Sequence, residues 1–279
     1  MKEIRTPDFS LRATIECGQT FCWTKFDKGY LNADVGQVVY VEQQGDSLFY
    51  ESTDTDVPLR EMLGLRHPIG QIWDSLPSDS FLKESMQFAR GLRIVRDPFF
   101  PCLISFLCSI WKSIPCIQGL VASIRQKYGP KYEIRGEQVY GMPSPQKLAT
   151  VEIDSLKDLG LAWRSEFIAR STRSILEGHI DPDILLEMPY EEAHRTLKKL
   201  HGVGNKVADC VLLFSLGFLE AFPMDVWIER VIQEHYSLFT EEGTSYAKKS
   251  TAAREYFGEY AGYAQQYLYY YSRENNCKK

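Results

Sequence analysis

The spacing of hydrophobic residues changes near residue 57 and divides the chain into two parts. Before that point, short apolar runs alternate with polar residues, and turn-forming residues at 27–29 and 45–46 each separate two such runs. Runs rich in aromatic and β-branched residues on either side of a glycine-containing turn predict β-hairpins. The predicted pairs are residues 20–26 with 30–35 and 38–41 with 48–50. The N-terminal part is therefore predicted to form an antiparallel sheet.

Beyond residue 57, apolar residues recur at helical spacing, and proline or glycine stands at most junctions. Residues 102–111 are almost wholly apolar, which predicts a buried helix. Further helices are predicted over residues 81–90, 119–128, 146–149, 153–159, 165–177, 190–200, 206–216 and 252–272. A sheet followed by helices is an α+β fold. We divide it into an N-terminal antiparallel sheet domain, residues 1–95, and a helical domain, residues 96–279.

The segment at about residues 194–216 has the form of helix, glycine turn and helix. Apolar residues at Leu197, Leu200 and Val203 are interrupted by Gly202 and Gly204, and helical spacing then resumes. The glycines permit a tight turn and leave amide groups open at the start of the next helix, where the helix dipole favours a phosphate. A plain helix junction with a glycine cap gives the same pattern, so the turn alone leaves both interpretations open.

Two side chains near this turn form a candidate reactive pair. Lys206 opens the second helix, and Asp225 follows Pro223. A lysine amine becomes nucleophilic when burial, a helix N-terminus or a nearby cation lowers its pKa, and a carboxylate stabilises the positive charge that a sugar develops when it loses a base. The alternatives are a surface lysine and a helix-capping aspartate. A nucleotide P-loop is disfavoured, because Lys206 is followed by Val207 rather than by Ser or Thr.

Composition limits the class of protein. The 279 residues are 44% hydrophobic and 25% charged, as in soluble globular proteins, and no apolar run is long enough to span a bilayer. The seven scattered cysteines predict free thiols in a reducing, intracellular compartment. Because no basic targeting run is present, we expect a bacterial cytoplasm or nucleoid rather than a nucleus. The net charge of −5 weakly disfavours a polyanionic partner unless one face is locally basic.

Blocks along the whole chain support a family resemblance. They are Gly18-Gln19-Thr20-Phe21-Cys22-Trp23, Gly91-Leu92-Arg93, Asp97-Pro98, Ser105-Phe106-Leu107-Cys108-Ser109, Gly160-Leu161-Ala162-Trp163-Arg164, Lys206-Val207-Ala208-Asp209-Cys210, Pro223-Met224-Asp225-Val226 and Tyr260-Ala261-Gly262-Tyr263-Ala264-Gln265. In these residues and in their order the chain resembles the 8-oxoguanine DNA glycosylase and AP lyase family of the helix–hairpin–helix, Gly-Pro-Asp superfamily. The resemblance covers nearly the whole chain.

The resemblance implies a bifunctional DNA repair enzyme. It would flip 8-oxoguanine out of duplex DNA, excise it and cleave the abasic strand by β-elimination. Lys206 would be the Schiff-base nucleophile and Asp225 the catalytic carboxylate. The remaining implied base-pocket residues are Gly18, whose carbonyl accepts from the lesion's N7–H, Gln265, which reads the Watson–Crick edge, and Cys210 and Tyr269, which sandwich the ring.

The resemblance also implies how DNA is held. Gly202, Val203, Gly204 and Lys206 would contact the DNA backbone, and Trp163 would be the wedge. Arg164 would contact the orphaned base, and Trp111 would lie where the opposite strand is read. The carbonyls of Lys198, Leu200 and Val203 would hold a monovalent, or a calcium- or magnesium-type, cation. We expect a monomer that needs no cofactor, has lesion-containing duplex DNA as its partner and does not bind membranes.

Several positions depart from the family or separate it from its relatives. Trp111 and Cys116 stand where the family has an asparagine and, in eukaryotic members, an arginine, so a strict preference for cytosine opposite the lesion is not implied. Only Cys277 follows Asp225, which excludes the iron–sulfur cluster of a sister group. Lys206 argues against the glycosylases of this superfamily that act on alkylated bases, because they keep the aspartate but lack the lysine. Two alternatives stay open: a non-catalytic helix–hairpin–helix DNA-binding module, and a glycosylase for another oxidised or alkylated base.

Overall fold

An antiparallel sheet of five strands lies in the N-terminal part of the chain, in the order β1-β5-β4-β3-β2. The computed structural model describes residues 1–236, 238 and 244–276, and Cys277 lies outside them. The strands are β1 (Lys2–Arg5), β2 (Trp23–Phe26), β3 (Gly29–Asn32), β4 (Val39–Gln44) and β5 (Ser47–Ser52). Both predicted hairpins are confirmed, with Phe26 paired to Gly29 and Gln44 to Ser47 at their turns.

Two elements in this part were not predicted. Strand β1 pairs with β5 at the sheet edge and buries only Ile4, so its sequence carries little alternation. Helix α1 (Leu11–Glu16) lies where only strands were expected. It begins because the Ser10 hydroxyl accepts a hydrogen bond from the Ala13 amide at 3.1 Å, a capping bond that favours a helix start.

The rest of the described chain is mostly helical, which confirms the α+β class. Its helices are α2 (Leu59–Met62), α3 (Ile69–Ser75), α4 (Ser80–Phe88), α5 (Phe99–Cys108), α6 (Ile114–Tyr128), α7 (Pro145–Ala149), α8 (Ile153–Leu156), α9 (Arg164–Leu176), α10 (Pro182–Leu186), α11 (Tyr190–Leu197), α12 (Asn205–Val211), α13 (Val226–His235), α14 (Tyr246–Phe257) and α15 (Ala261–Asn276). Short π-helical turns follow α8 (Lys157–Leu161) and α12 (Leu212–Leu216).

The structure corrects the predicted helical part in two places. A third hairpin, β6 (Lys131–Ile134) with β7 (Glu137–Tyr140), interrupts the helices. The single helix predicted for residues 252–272 is two helices, α14 and α15. They separate at Gly258, whose φ of +76° ends α14 in a conformation that glycine adopts without a steric penalty.

The core joins the two predicted domains. Helix α5 is buried at nearly every position, as its apolar sequence predicts. One hydrophobic cluster extends from Ile4 in the sheet to Leu268 in α15. The core is therefore continuous across residue 95, and the domain boundary there stays a prediction. No helix in the described ranges combines the length and apolar character needed to cross a membrane.

Candidate active site

A cavity of about 1300 Å³ opens where the α11–α12 turn, the α5–α6 loop, the start of α13 and the last helix meet. Its lining is locally basic, which offers the positive face that the net charge of the chain does not. The charged residues on it are Lys112, Lys198, Lys199, Lys206 and Arg273, against Asp225 and Glu229.

Lys206 and Asp225 both line this cavity. Lys206 lies in the first turn of α12, where its Nζ donates to Ser109 Oγ at 3.3 Å and lies 5.5 Å from the ring centroid of Phe106. Asp225 caps α13. In the described part of the chain no salt bridge joins the two side chains.

Only one oxygen of the Asp225 carboxylate caps α13. Its Oδ1 accepts from the amides of Trp227 at 3.0 Å and Ile228 at 2.9 Å, and Oδ2 is not used by the cap. Burial raises the pKa of Asp225, and the two amides and the Lys206 ammonium oppose that rise. A partly buried carboxylate of this kind gains from a positive charge placed beside it, because desolvation is the largest cost of its ionised form.

The turn between α11 and α12 depends on Gly202. Its φ is +84°, and a Cβ built on it would lie 2.2 Å from Cγ of the Phe167 ring on α9. The Ser171 hydroxyl also donates to the His201 carbonyl at 2.8 Å, so α9 holds the turn from below. Gly204 is different, since a Cβ there would meet nothing within 4 Å. Gly204 caps α12 without a side-chain bond, which leaves the amides of the first turn open towards the cavity.

The structure brings only part of the implied base pocket to the surface. Gly18, with a φ of +96°, and Tyr269 both line the cavity, and a Cβ on Gly18 would lie 3.2 Å from Tyr269 Cε1. Cys210 and Gln265 are buried behind them, at 2% and 4% exposure. The Oε1 atom of Gln265 is buried and accepts no hydrogen bond from the residues described. Burial raises the pKa of Cys210 to about 12, so its thiol is neutral.

Three tryptophans stand on the rim of the cavity. Trp111, Trp163 and Trp227 are 89%, 46% and 37% exposed. Trp111 also has a φ of +57°, which is unusual for a bulky residue. Exposed indole rings beside a basic cleft are suited to stacking on bases.

Arg164 is not on that rim, contrary to the expectation that it contacts the orphaned base. It is 4% exposed and lies under Trp163, with its guanidinium 4.2 Å from the indole ring. Its Nε donates to the Ile110 carbonyl at 2.9 Å, and a second nitrogen bonds the same oxygen. Arg164 therefore ties the α5–α6 loop, and with it Trp111, to α9. Cys116 is exposed but does not line the cavity.

Sequence reasoning did not identify several residues of the cavity. Arg273 lines the cavity beside Gly18, where a Cβ would lie 3.0 Å from Arg273 Nη1. It lies four residues after Tyr269 on α15, so helical spacing could have identified it. Ser109 lies within a recognised block but had no assigned function. Tyr246 precedes no motif, and no local pattern in the sequence marks it.

The chain is similar to several known proteins. The family model "8-oxoguanine DNA glycosylase, N-terminal domain" matches residues 3–103. A probable N-glycosylase/DNA lyase of Methanothermobacter thermautotrophicus is 33% identical over 220 residues, which are 71% of this chain and 68% of that protein. The Clostridium acetobutylicum 8-oxoguanine glycosylase/lyase bound to duplex DNA with cytosine opposite 8-oxoguanine is 30% identical, with a TM-score of 0.90 over 99% of both chains. The structure of MBOgg1 with a low-affinity DNA ligand is 32% identical, with a TM-score of 0.91 over 98% of this chain and 96% of that one.

Proposed function

This chain belongs to the 8-oxoguanine DNA glycosylase and AP lyase family, and from that premise we propose that Lys206 and Asp225 carry its reaction in the cavity described above. The enzyme is a bifunctional glycosylase and lyase that acts on 8-oxoguanine in duplex DNA. The observation that supports the assignment is that this amine and this carboxylate line one basic cavity beside the turn.

The proposed chemistry starts once the Lys206 ammonium has given up a proton to solvent. Its nitrogen bonds to C1′ of the flipped nucleotide while the C1′–N9 bond breaks, and the base leaves with that electron pair and takes up a proton. Asp225 Oδ2 faces the positive charge that develops on the sugar. Ring opening then leaves a Schiff base between Lys206 and the sugar. Loss of a C2′ proton expels the 3′ phosphate oxygen, which is the strand-cleaving β-elimination, and water releases the lysine.

The lesion is recognised, in this proposal, by the residues that surround Gly18. Its carbonyl accepts no hydrogen bond from the residues described, and Tyr269 lies beside it. Gln265 and Cys210 would contact the flipped base once it enters the pocket beside Tyr269. The unpaired Oε1 of Gln265 supports this, because a buried polar atom without a partner costs about 1–3 kcal/mol unless a ligand satisfies it.

The hairpin would hold the DNA backbone through the amides of Gly202, Val203 and Gly204, and through Lys206 before it reacts. We also propose a cation bound to the carbonyls of Lys198, Leu200 and Val203. Only that of Leu200 accepts a bond within the described chain, from the Val203 amide at 3.1 Å. Neutral carbonyl oxygens suit a hard cation. Replacing K⁺ by tetramethylammonium at constant ionic strength should weaken duplex binding; unchanged affinity would remove the cation from the proposal.

The catalytic assignment is tested by borohydride trapping on a duplex that contains 8-oxoguanine. The native enzyme should give a covalent protein–DNA product, and Lys206→Gln should give none. Lys199→Gln is the matched control, because it removes one positive charge from the same cavity without removing the proposed nucleophile. A trapped product with Lys206→Gln equal to that of the native enzyme would reject the lysine assignment.

The rim tryptophans are proposed to act on the DNA strands, with Trp163 as the wedge and Trp111 opposite the lesion. An indole ring cannot supply the hydrogen bonds of an asparagine amide, so we expect weak discrimination among the four opposite bases. Trp111→Asn should raise the preference for cytosine. Asparagine tolerates the observed positive φ of this position better than tryptophan does. Excision rates measured for all four opposite bases, with Trp227→Asn as control, test this; identical ratios in the three proteins would contradict it.

A further inference from the structure

A buried carboxylate lies directly behind the proposed active site. Asp209 is 0% exposed and belongs to α12, three residues after Lys206. Two phenols donate to it, Tyr190 to Oδ1 and Tyr246 to Oδ2, each at 2.5 Å. His194 Nε2 lies 3.6 Å from Oδ1. Bonds from phenols to a buried carboxylate are charge-assisted and among the stronger hydrogen bonds in proteins. The hydrogen bond that Tyr246 donates to Asp209 therefore holds its hydroxyl group in place.

The other side of the Tyr246 hydroxyl reaches the segment of Asp225. It accepts the amide of Met224 at 3.0 Å, and Met224 immediately precedes Asp225. Tyr246 also stands between two cavities, the active-site cavity and a smaller one of about 210 Å³ behind it. The Tyr246 phenol therefore lines the active-site cavity, while its hydrogen bond to Asp209 fixes its position from behind that cavity.

The two bonds of this hydroxyl join the elements that carry the reacting groups. Asp209 stands on the helix of Lys206, and Met224 stands next to Asp225, while no salt bridge in the described residues connects Lys206 and Asp225 themselves. We propose that Tyr246 is a positioning residue, which sets the place of Asp225 relative to Lys206 through the sequence of bonds Asp209–Tyr246–Met224. This inference rests on the proposed function of the pair.

Misplacement of Asp225 should affect base excision more than Schiff-base formation on an abasic site. Excision of the base needs Asp225 and Lys206 together, and an error of about 1 Å in the placement of a reacting group can cost about 100-fold in rate. Schiff-base formation on an abasic site that already exists needs the Lys206 amine and an aldehyde, with no base to expel. Loss of the Tyr246 hydroxyl should therefore slow the first reaction and spare the second.

The test is Tyr246→Phe, which keeps the ring and removes the hydroxyl. We expect single-turnover excision of 8-oxoguanine to fall about 10- to 100-fold. Borohydride trapping on a duplex with a preformed abasic site should change less than about 3-fold, and affinity for the lesion duplex should be kept. Asp209→Asn provides a second variant, which keeps an oxygen acceptor but removes the charge, and it should slow excision selectively as well.

Tyr236→Phe is the matched control. It also loses a phenol–carboxylate bond, from Tyr236 to Asp79 Oδ1 at 3.1 Å, but at the far end of α13. It should leave both rates unchanged. Unchanged excision by Tyr246→Phe, or an equal loss of excision and trapping with a lowered melting temperature, would overturn the positioning function. Absence of both reactions in the native enzyme would instead reject the proposed function itself.

Discussion

At the scale of single residues, the cap of α13 shows how one side chain combines structure and proposed chemistry. Asp225 uses Oδ1 for the amides of Trp227 and Ile228 and keeps Oδ2 towards the cavity. A helix cap of this type is worth about 1 kcal/mol. Because the cap uses only an oxygen atom that an asparagine amide also has, the structural and catalytic contributions of Asp225 are separable by mutation.

Asp225→Asn should therefore abolish most activity without unfolding the protein. Asparagine caps helices as well as aspartate, so the free energy of unfolding should change by less than about 0.5 kcal/mol. Loss of the charge that faces the reacting sugar should lower single-turnover excision by about 100-fold or more. Urea denaturation and excision rates on one preparation measure both. A variant that unfolds in proportion to its lost activity would contradict this division.

The same residue should set the acid side of the pH profile. Because burial raises the pKa of Asp225, the ionised form is lost at a higher pH than for an exposed aspartate. As the pH falls, the excision rate of the native enzyme should therefore begin to decline at a higher pH than it would if Asp225 titrated like an exposed aspartate. In Asp225→Asn the residual rate should lack this decline.

At the scale of elements, the glycine turn between α11 and α12 is held by packing on one side and open on the other. Gly202 lies against Phe167 in a left-handed conformation, whereas Gly204 has open space where a side chain would extend. The two glycines look alike in the sequence but meet different constraints in the fold. They therefore form a matched pair for separating the stability of the turn from its contact with DNA.

Gly202→Ala should destabilise the protein, and Gly204→Ala should not. The first adds a Cβ that overlaps the Phe167 ring and occupies a positive φ, which together cost about 2 kcal/mol or more. The second leaves the fold intact but places a methyl group beside the open amides, so binding of undamaged duplex should weaken about 3- to 10-fold. Melting curves and salt titrations of DNA binding check both. Equal stability of the two variants would show that Phe167 gives way.

At the scale of the whole molecule, a buried acid lies just after the predicted boundary between the two domains. Asp97 is 4% exposed, and its amide donates to the Phe214 carbonyl at 2.8 Å. Burial raises the pKa of its side chain to about 7, and the nearby Asp34 carboxylate adds to the rise, while Thr20 and Arg125 oppose it. Between its ordinary value and about 7, the folded protein binds a proton that the unfolded chain has released.

The contribution of Asp97 to the stability of the fold should therefore decrease as the pH rises towards and through 7. The contribution of Asp97 is complete below about pH 3.8 and is lost above about 7, at no more than about 1.4 kcal/mol for each pH unit. Urea denaturation of the native protein and of Asp97→Asn at several values between pH 5.5 and 8 should show this slope in the difference between the two proteins. Asp97→Asn keeps the neutral shape; parallel curves would contradict the assignment.

Much of the fold and some of the site were predictable because they depend on local sequence. The two N-terminal hairpins follow from turn residues between short apolar runs, and the burial of α5 follows from its composition. The spacing of Gly202, Gly204 and Lys206 indicated the turn and the lysine that follows it. Helix α1 and the break at Gly258 were missed because a single cap residue decided each of them, and caps are weak signals beside periodicity.

By itself, the sequence determined the α+β class, the helix–turn–helix and the residue types that the chemistry requires. Tertiary structure alone decided where those residues face. It bonded Arg164 to the Ile110 carbonyl, buried Gln265 and Cys210 in the core, and joined Asp209 to Met224 through Tyr246. The physical reason is distance along the chain. Periodicity and turn residues report interactions within a few positions, whereas these contacts join residues far apart in sequence and form only when whole elements pack.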